Sequence, residues 1–269
     1  MYLLPRPQEM LLQDNVFYVD YTAEICIDPE ASPEWLHYAS LLQKEIEQDT
    51  GFHLNINRNL PVFQTPSILL KPTSGHSQQE YTLRIRESGI LLTASSNSGM
   101  LYAIQTLRQI IRQEGACLPG LDIHDFPVIS NRGLYYDVTR GRIPTLSYLK
   151  KMADTLSFYK INQLHLYIEH TYMFRNLSEV WRDDTPLTSG DILELDRYCA
   201  DLGIELVPSI ASFGHLYKIL RTKSFRHLCE REDLCEEPFG FIDRMEHHTI
   251  DVSNEESFSF IWSLIEEYL

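Results

Sequence analysis

Apolar positions in the first 117 residues follow two rhythms. Val16–Val19 and Ile25–Ile27 are short β-rich runs, whereas Leu36, Ala39, Leu42 and Ile46 recur between Glu34 and Gln48 at the spacing of one helical face. Thr50-Gly51 supplies the stop that such a helix needs. Ser67–Lys71 reads as another strand. Tyr81–Arg86 alternates, Glu87-Ser88-Gly89 turns and Ile90–Ala94 returns, which predicts a hairpin. Ser96-Asn97-Ser98-Gly99 then opens a helix from about Met100 to Arg112. Strands packed against two helices define an α+β domain, placed at residues 1–118.

The pattern changes near Pro119. Gly133–Val138, Leu164–Ile168 and Ile204–Ile210 are short apolar runs suited to strands covered on both faces. Between them lie helical stripes, first Leu146, Leu149, Met152, Ala153, Leu156 and Phe158, then Ile192, Leu193, Leu195, Tyr198, Cys199 and Leu202. A last helix is expected from Glu255 to Tyr268. Strand-helix repetition predicts a parallel sheet or barrel over residues 119–269, and an α/β class for the chain. An eight-unit barrel takes about 250 residues. Three strands between Gly133 and Leu269 therefore mean either a small open sheet or an incomplete (β/α)8 TIM barrel of about three βα units.

In parallel βα folds ligands meet the C-terminal strand ends. Asp137, Thr139, Arg140 and Arg142 follow the first strand, Glu169, His170 and Tyr172 the second, and Ser209, Ser212, Gly214 and His215 the third. An arginine there can make charge-assisted hydrogen bonds to sugar hydroxyls, and a histidine beside a carboxylate can hold or tune a general acid. Structural alternatives stay open at this point. Arg140 could pair with Asp137, His170 could be an ordinary strand-end donor, and His215 could cap the segment after Gly214.

Composition narrows the classes. Hydrophobic residues at 43% and charged residues at 23% describe a globular chain. The 23 Lys+Arg against 38 Asp+Glu give a net charge of −15, which argues against nucleic acid or an anionic membrane as partner. The 15 Tyr and 3 Trp suit sugar stacking, though core packing is their commoner use. Five cysteines, odd in number and never in a CxxC pair, fit a reducing compartment. Neither a signal peptide nor a long apolar span is visible, so a cytoplasmic location is expected. His227, Cys229, Cys235, His247 and His248 match no compact zinc pattern, so no metal is expected, and no cofactor. G-x-S-x-G, GxGxxG and phosphate-loop motifs are lacking.

The block Asp125-Phe-Pro-Val-Ile-Ser-Asn-Arg-Gly-Leu-Tyr-Tyr-Asp-Val-Thr-Arg140 resembles the opening of the catalytic barrel of glycoside hydrolase family 20, the β-N-acetylhexosaminidases. Tyr159-Lys160-Ile-Asn162-Gln-Leu-His-Leu and Val207-Pro-Ser-Ile-Ala-Ser-Phe-Gly214-His215 are similar to that family's second and third strand blocks. Leu4-Pro-Arg-Pro-Gln8, Tyr81-Thr-Leu and the run from Gly99 to Gln109 are similar to its accessory domain. The resemblance implies that Arg140 binds hydroxyls of a terminal N-acetylglucosamine and that His215 belongs to the hydrogen-bonded chain behind the general acid. It also implies exo-hydrolysis of carbohydrate ending in N-acetylhexosamine, by substrate-assisted retention. Many members carry His-x-x-Asp-Asp on the second strand, where this chain reads Tyr167-Ile-Glu169-His170-Thr171; either Glu169 or His170 stands in for the acid that partners His215. The family's catalytic Asp-Glu pair follows the fourth strand and is expected beyond Leu269, so no catalytic residue is expected within the chain. It is read as truncated and inactive alone, the alternative being a non-catalytic amino-sugar-binding half-barrel.

Overall fold

The computed structural model describes residues 1–60, 66–234, 240 and 248–269. The chain forms two compact units. The first comprises Met1–Arg132 with Leu156–Lys160, the second Gly133–Thr155 with Ile161–Leu269.

The first unit is built on a seven-stranded mixed sheet of β1 (Glu9–Tyr18), β2 (Glu24–Ile27), β3 (Asn55–Asn57), β4 (Ser67–Pro72), β5 (Tyr81–Arg86), β6 (Gly89–Ala94) and β7 (Cys117–Asp125), in the order β1-β7-β5-β6-β4-β2-β3. The hairpin expected from alternation is β5–β6, in register from Tyr81↔Ala94 to Arg86↔Gly89. Tyr81, Leu83 and Ile85 enter the core from β5, and Ile90, Leu92 and Ala94 from β6. Gly89 is required there: its φ is 152°, and a Cβ would lie 2.7 Å from the Ser67 carbonyl oxygen.

Two helices complete this core, α1 (Trp35–Thr50) and α2 (Asn97–Glu114). Gly51 ends α1 with φ 80°, as the sequence anticipates. The buried stripe of α1 runs through Trp35, Tyr38, Ala39, Leu42 and Ile46, so Trp35 replaces the expected Leu36, which is exposed. The Ser96 hydroxyl caps α2 by accepting the Gly99 N–H at 3.0 Å. Glu45 of α1, 2% exposed, meets Arg108 at 2.7 Å and also pairs with Arg112, both on α2. Burial alone would push the Glu45 carboxyl up, but the two guanidiniums outweigh it and hold the group below its usual range.

The expected boundary at 118/119 falls inside β7. That strand was not read from the sequence, because Pro119-Gly120 looks like a break. It pairs antiparallel with both β1 and β5 and belongs to the first unit's sheet.

The second unit holds a three-stranded parallel sheet of β8 (Gly133–Asp137), β9 (Gln163–Ile168) and β10 (Glu205–Ile210), in the order β10-β9-β8. Helix α3 (Leu146–Phe158) connects β8 to β9, and α4 (Ser189–Asp201) connects β9 to β10. A capping box starts α4: Thr188 Oγ1 accepts the Asp191 N–H at 3.1 Å, and Asp191 Oδ2 accepts the Thr188 N–H at 2.8 Å. The unit ends in α5 (Glu255–Tyr268), whose first turn is capped by Asn254. In β9 burial alternates: Leu164, Leu166 and Ile168 are buried, whereas Gln163, His165 and Tyr167 are half-covered. This second face differs from the two covered faces expected, and it leads to the site. Among the described residues no helix is long and apolar enough to cross a membrane.

Candidate active site

The parallel register sets the site. Asp137, the last residue of β8, stands opposite Tyr167 of β9, which stands opposite Ser209 of β10. Asp137 organises the loop after its strand, because Oδ1 accepts the Thr139 N–H at 2.8 Å and the Arg140 N–H at 3.2 Å. Oδ2 pairs with the Arg140 guanidinium. Partial burial pushes the Asp137 carboxyl up, but these N–H groups and Arg140 dominate and hold it below the usual carboxylate range. Thr139 ties this loop to the next strand end by accepting the Glu169 N–H at 3.1 Å.

Glu169, directly after β9, is the hub. Its Oε1 takes Arg140 Nη2 at 2.8 Å and the Tyr167 hydroxyl at 3.0 Å. His215 Nδ1 lies 3.9 Å from the same oxygen, and His170 Nδ1 lies 3.9 Å from Oε2. Glu169 is 8% exposed. That burial pushes its carboxyl above the ordinary range against the opposing pull of the Tyr167 hydroxyl and the Arg140 guanidinium.

His215 reaches this cluster from the loop after β10 with φ 62°, a left-handed conformation uncommon outside glycine. Arg140 Nη2 lies 3.2 Å from His215 Nδ1. A guanidinium can only donate, so in this contact Nδ1 is the accepting atom.

The five residues singled out from sequence, Asp137, Arg140, Glu169, His170 and His215, therefore come together. Of the two candidates for the acid beside His215, Glu169 is the one on its side, while His170 flanks the opposite oxygen. Arg140, Arg142, Glu169, His170, His215 and Lys218 are among the residues lining a cavity of about 310 Å³. Lys218 pairs with Asp184 at 2.9 Å on the same cavity. The sequence pattern marks neither, since Asp184 lies in a loop and Lys218 in a helix of four residues, Tyr217–Leu220, too short to show a period. Tyr167 enters the sequence reading only as a departure from the family's second-strand motif, with no role attached. Tyr172, by contrast, packs away from the cavity, 4.8 Å from Phe174 and 5.1 Å from Tyr268 between ring centroids.

Of the superficial zinc candidates, Cys235 and His247 lie outside the described residues. His227 pairs with Glu256 at 3.2 Å and His248 packs edge-on against Tyr217. Among the described residues no group of three or more His, Cys, Asp or Glu is placed to hold a metal ion.

A sugar-sized cavity at the ends of parallel strands, walled by carboxylate, guanidinium and imidazole, is a site suited to a polyhydroxylated ligand. Comparison with known proteins identifies the class. Residues 1–126 match the model of glycosyl hydrolase family 20, domain 2, and residues 130–269 match that of the family 20 catalytic domain. The chain belongs to glycosyl hydrolase family 20. It is 25% identical over 243 residues to a β-hexosaminidase of Porphyromonas gingivalis, covering 79% of this chain and 30% of the relative. It is 28% identical over 217 residues to a β-hexosaminidase of Akkermansia muciniphila, covering 72% and 39%. The chain thus spans well under half the length of these curated relatives. The fold is shared with the Streptomyces plicatus N-acetyl-β-hexosaminidase structure at a TM-score of 0.84 and 21% identity, over 98% of this chain and 56% of that one.

Proposed function

We propose that the chain carries the accessory domain and the first βα units of the barrel of an exo-acting β-N-acetylhexosaminidase, and that its cavity receives a terminal N-acetylglucosamine or N-acetylgalactosamine. The observation that carries this reading is the convergence of Arg140, Glu169 and His215 from three consecutive strand ends on one cavity, in a chain of this family. A Streptomyces plicatus neighbour is described in complex with its product, GlcNAc, which supports the choice of sugar. In this reading Arg140 donates to sugar hydroxyls, and Asp137 and Glu169 hold its guanidinium in place. In the same reading His215, accepting from Arg140 at Nδ1, offers Nε2 as a donor to a general acid.

The chemistry would be substrate-assisted retention. The acetamido oxygen of the sugar attacks the anomeric carbon, a glutamic acid protonates the leaving oxygen, and an adjacent aspartate orients the acetamido group; water then opens the cyclic intermediate. The 269 residues contain no Asp-Glu dipeptide, so these residues alone are proposed not to turn substrate over.

The test is a titration of the chain with N-acetylglucosamine, followed by calorimetry, beside an assay with a chromogenic N-acetylglucosaminide. Saturable binding that Arg140→Ala weakens at least tenfold, without turnover, is the expected result. Turnover by the chain itself would overturn the proposed inactivity, and absence of binding would overturn the sugar site. An open reading frame that continues into an apolar strand ending in Asp-Glu favours the hydrolase. A stop codon directly after Leu269 favours an amino-sugar-binding module.

A further inference from the structure

We propose that Tyr167 is a positioning residue, whose hydroxyl fixes the Glu169 carboxylate and whose ring supports the Arg140 guanidinium at the cavity. The inference rests on the reading of this cavity as the sugar site, and it assigns a role to the tyrosine that stands where many family members carry the opening histidine of the second-strand motif.

Tyr167 is held more firmly than a loop residue could be. It is paired on both sides within the sheet, opposite Asp137 and Ser209. Its ring centroid lies 5.9 Å from that of Tyr135 at an interplanar angle of 33°. Glu169 follows two residues further along the chain, just past the end of β9. The phenol donates to Glu169 Oε1 at 3.0 Å, and the Arg140 guanidinium carbon sits 5.3 Å from the ring centroid. One side chain therefore contacts both members of the Arg140–Glu169 pair.

A phenylalanine would fill the same space, so the hydroxyl decides whether the role is positioning or packing. Burial drives Glu169 toward its protonated form, and the Tyr167 donor opposes this by stabilising the charged oxygen. Burial and the neighbouring Glu169 carboxylate push the Tyr167 hydroxyl up to about 12, so it remains a donor throughout the range in which Glu169 titrates. If Glu169 became neutral, its ion pair with Arg140 would be lost.

The experiment is a pH titration of the 269-residue chain with ¹³C-labelled glutamate carboxyls, the Glu169 signal being assigned with Glu169→Gln. Tyr167→Phe keeps the ring and removes the donor, so the Glu169 midpoint should rise by about one pH unit, the equivalent of one hydrogen bond to a charged group. Replacement of Tyr167 by 3-fluorotyrosine keeps the side chain's shape and makes a stronger donor, so the midpoint should fall. This second replacement decides the matter on its own should Tyr167→Phe fail to fold. A midpoint that neither replacement moves overturns the proposal. Titration with N-acetylglucosamine is read separately: a shifted midpoint without sugar binding sustains the positioning role and removes the sugar reading, and sugar binding with an unmoved midpoint does the reverse.

Discussion

Lys160 stands where the end of a helix would ordinarily favour glycine. Its φ is 61°, two residues past Phe158 at the end of α3. The side chain explains why lysine is there. Within the first unit its ammonium donates to Asp125 Oδ2 at 3.0 Å and to the Tyr81 hydroxyl at 2.8 Å, and Tyr81 in turn donates to Asp125 at 2.8 Å. All three are buried. Burial pushes the Lys160 amine below its ordinary value, with Asp125 opposing, and pushes the Tyr81 hydroxyl well above its own. Lys160→Gly should relieve the backbone by about 1 kcal/mol. It should also strand the Asp125 carboxylate, and breaking a buried pair costs roughly 3–5 kcal/mol. The expected net result is a loss of about 2–4 kcal/mol in urea unfolding, partly recovered by adding Asp125→Asn. A single variant as stable as the native chain would show that the ion pair contributes no more than the roughly 1 kcal/mol that glycine returns to the backbone. None of this was legible from sequence, because Lys160 lies 79 positions from Tyr81 and 35 from Asp125. Arg140 and His215 were legible, since each lies in the loop that follows an apolar strand. Tyr167 lies inside the alternation of β9 at the place of the motif's opening histidine, and its contacts with Glu169 and Arg140 come from packing that the strand period does not show.

At the scale of elements, the α1–α2 pair turns on Glu45. Its carboxylate is held below the usual range by Arg108 and Arg112, so the sign is that of a depressed acid. The stabilisation is present above the ordinary glutamate value and is lost as pH falls through the lower, folded-state value. Glu45→Gln should cost about 2 kcal/mol at pH 7, less than a fully buried pair because Arg112 keeps nearly half its side-chain surface in water. Denaturant unfolding as a function of pH checks this: the gap between native and variant should close in acid. A gap independent of pH would assign the effect to packing. Local rules carried most of the elements in this unit, including the β5–β6 hairpin, the Gly51 stop and the capped start of α2. They failed where tertiary pairing overrode punctuation. Cys117–Asp125 contains Pro119-Gly120, yet nine residues form β7 because β1 and β5 supply partners on both sides. Gly120 is itself a close approach: a Cβ there would lie 2.2 Å from Asn15 Oδ1 and 2.8 Å from the Asn15 carbonyl oxygen. The α1 register shifted by one position for a similar reason. Trp35 fills the core and donates its indole N–H to Asn97 Oδ1 at 3.0 Å, leaving Leu36 exposed.

Over the whole molecule, two opposing tendencies govern behaviour in solution. The net charge of −15 keeps copies of the chain apart. Against it stand the open strands of the second unit's sheet, in which, among the described residues, β8 and β10 each pair only with β9, and the exposed apolar face of α5. On that helix Phe258 and Trp262 are 73% and 51% exposed and their rings stack at 6.3 Å. The two edges are not equivalent. Pro208 removes a backbone donor from β10, a feature that disfavours edge pairing, whereas β8 lacks proline and exposes Tyr135. Self-association should therefore run through α5 and β8. Because charge repulsion is the opposing force, added salt should strengthen it as the Debye length falls from about 10 Å at 0.1 M to about 3 Å at 1 M. Light scattering should show the mass rising above the 31.4 kDa of one chain with protein concentration, and more steeply at high salt. Phe258→Asp with Trp262→Asp should reduce this rise, because it places charge in the middle of the apolar face. A monodisperse 31.4 kDa species across that range would mean that the charge outweighs both surfaces.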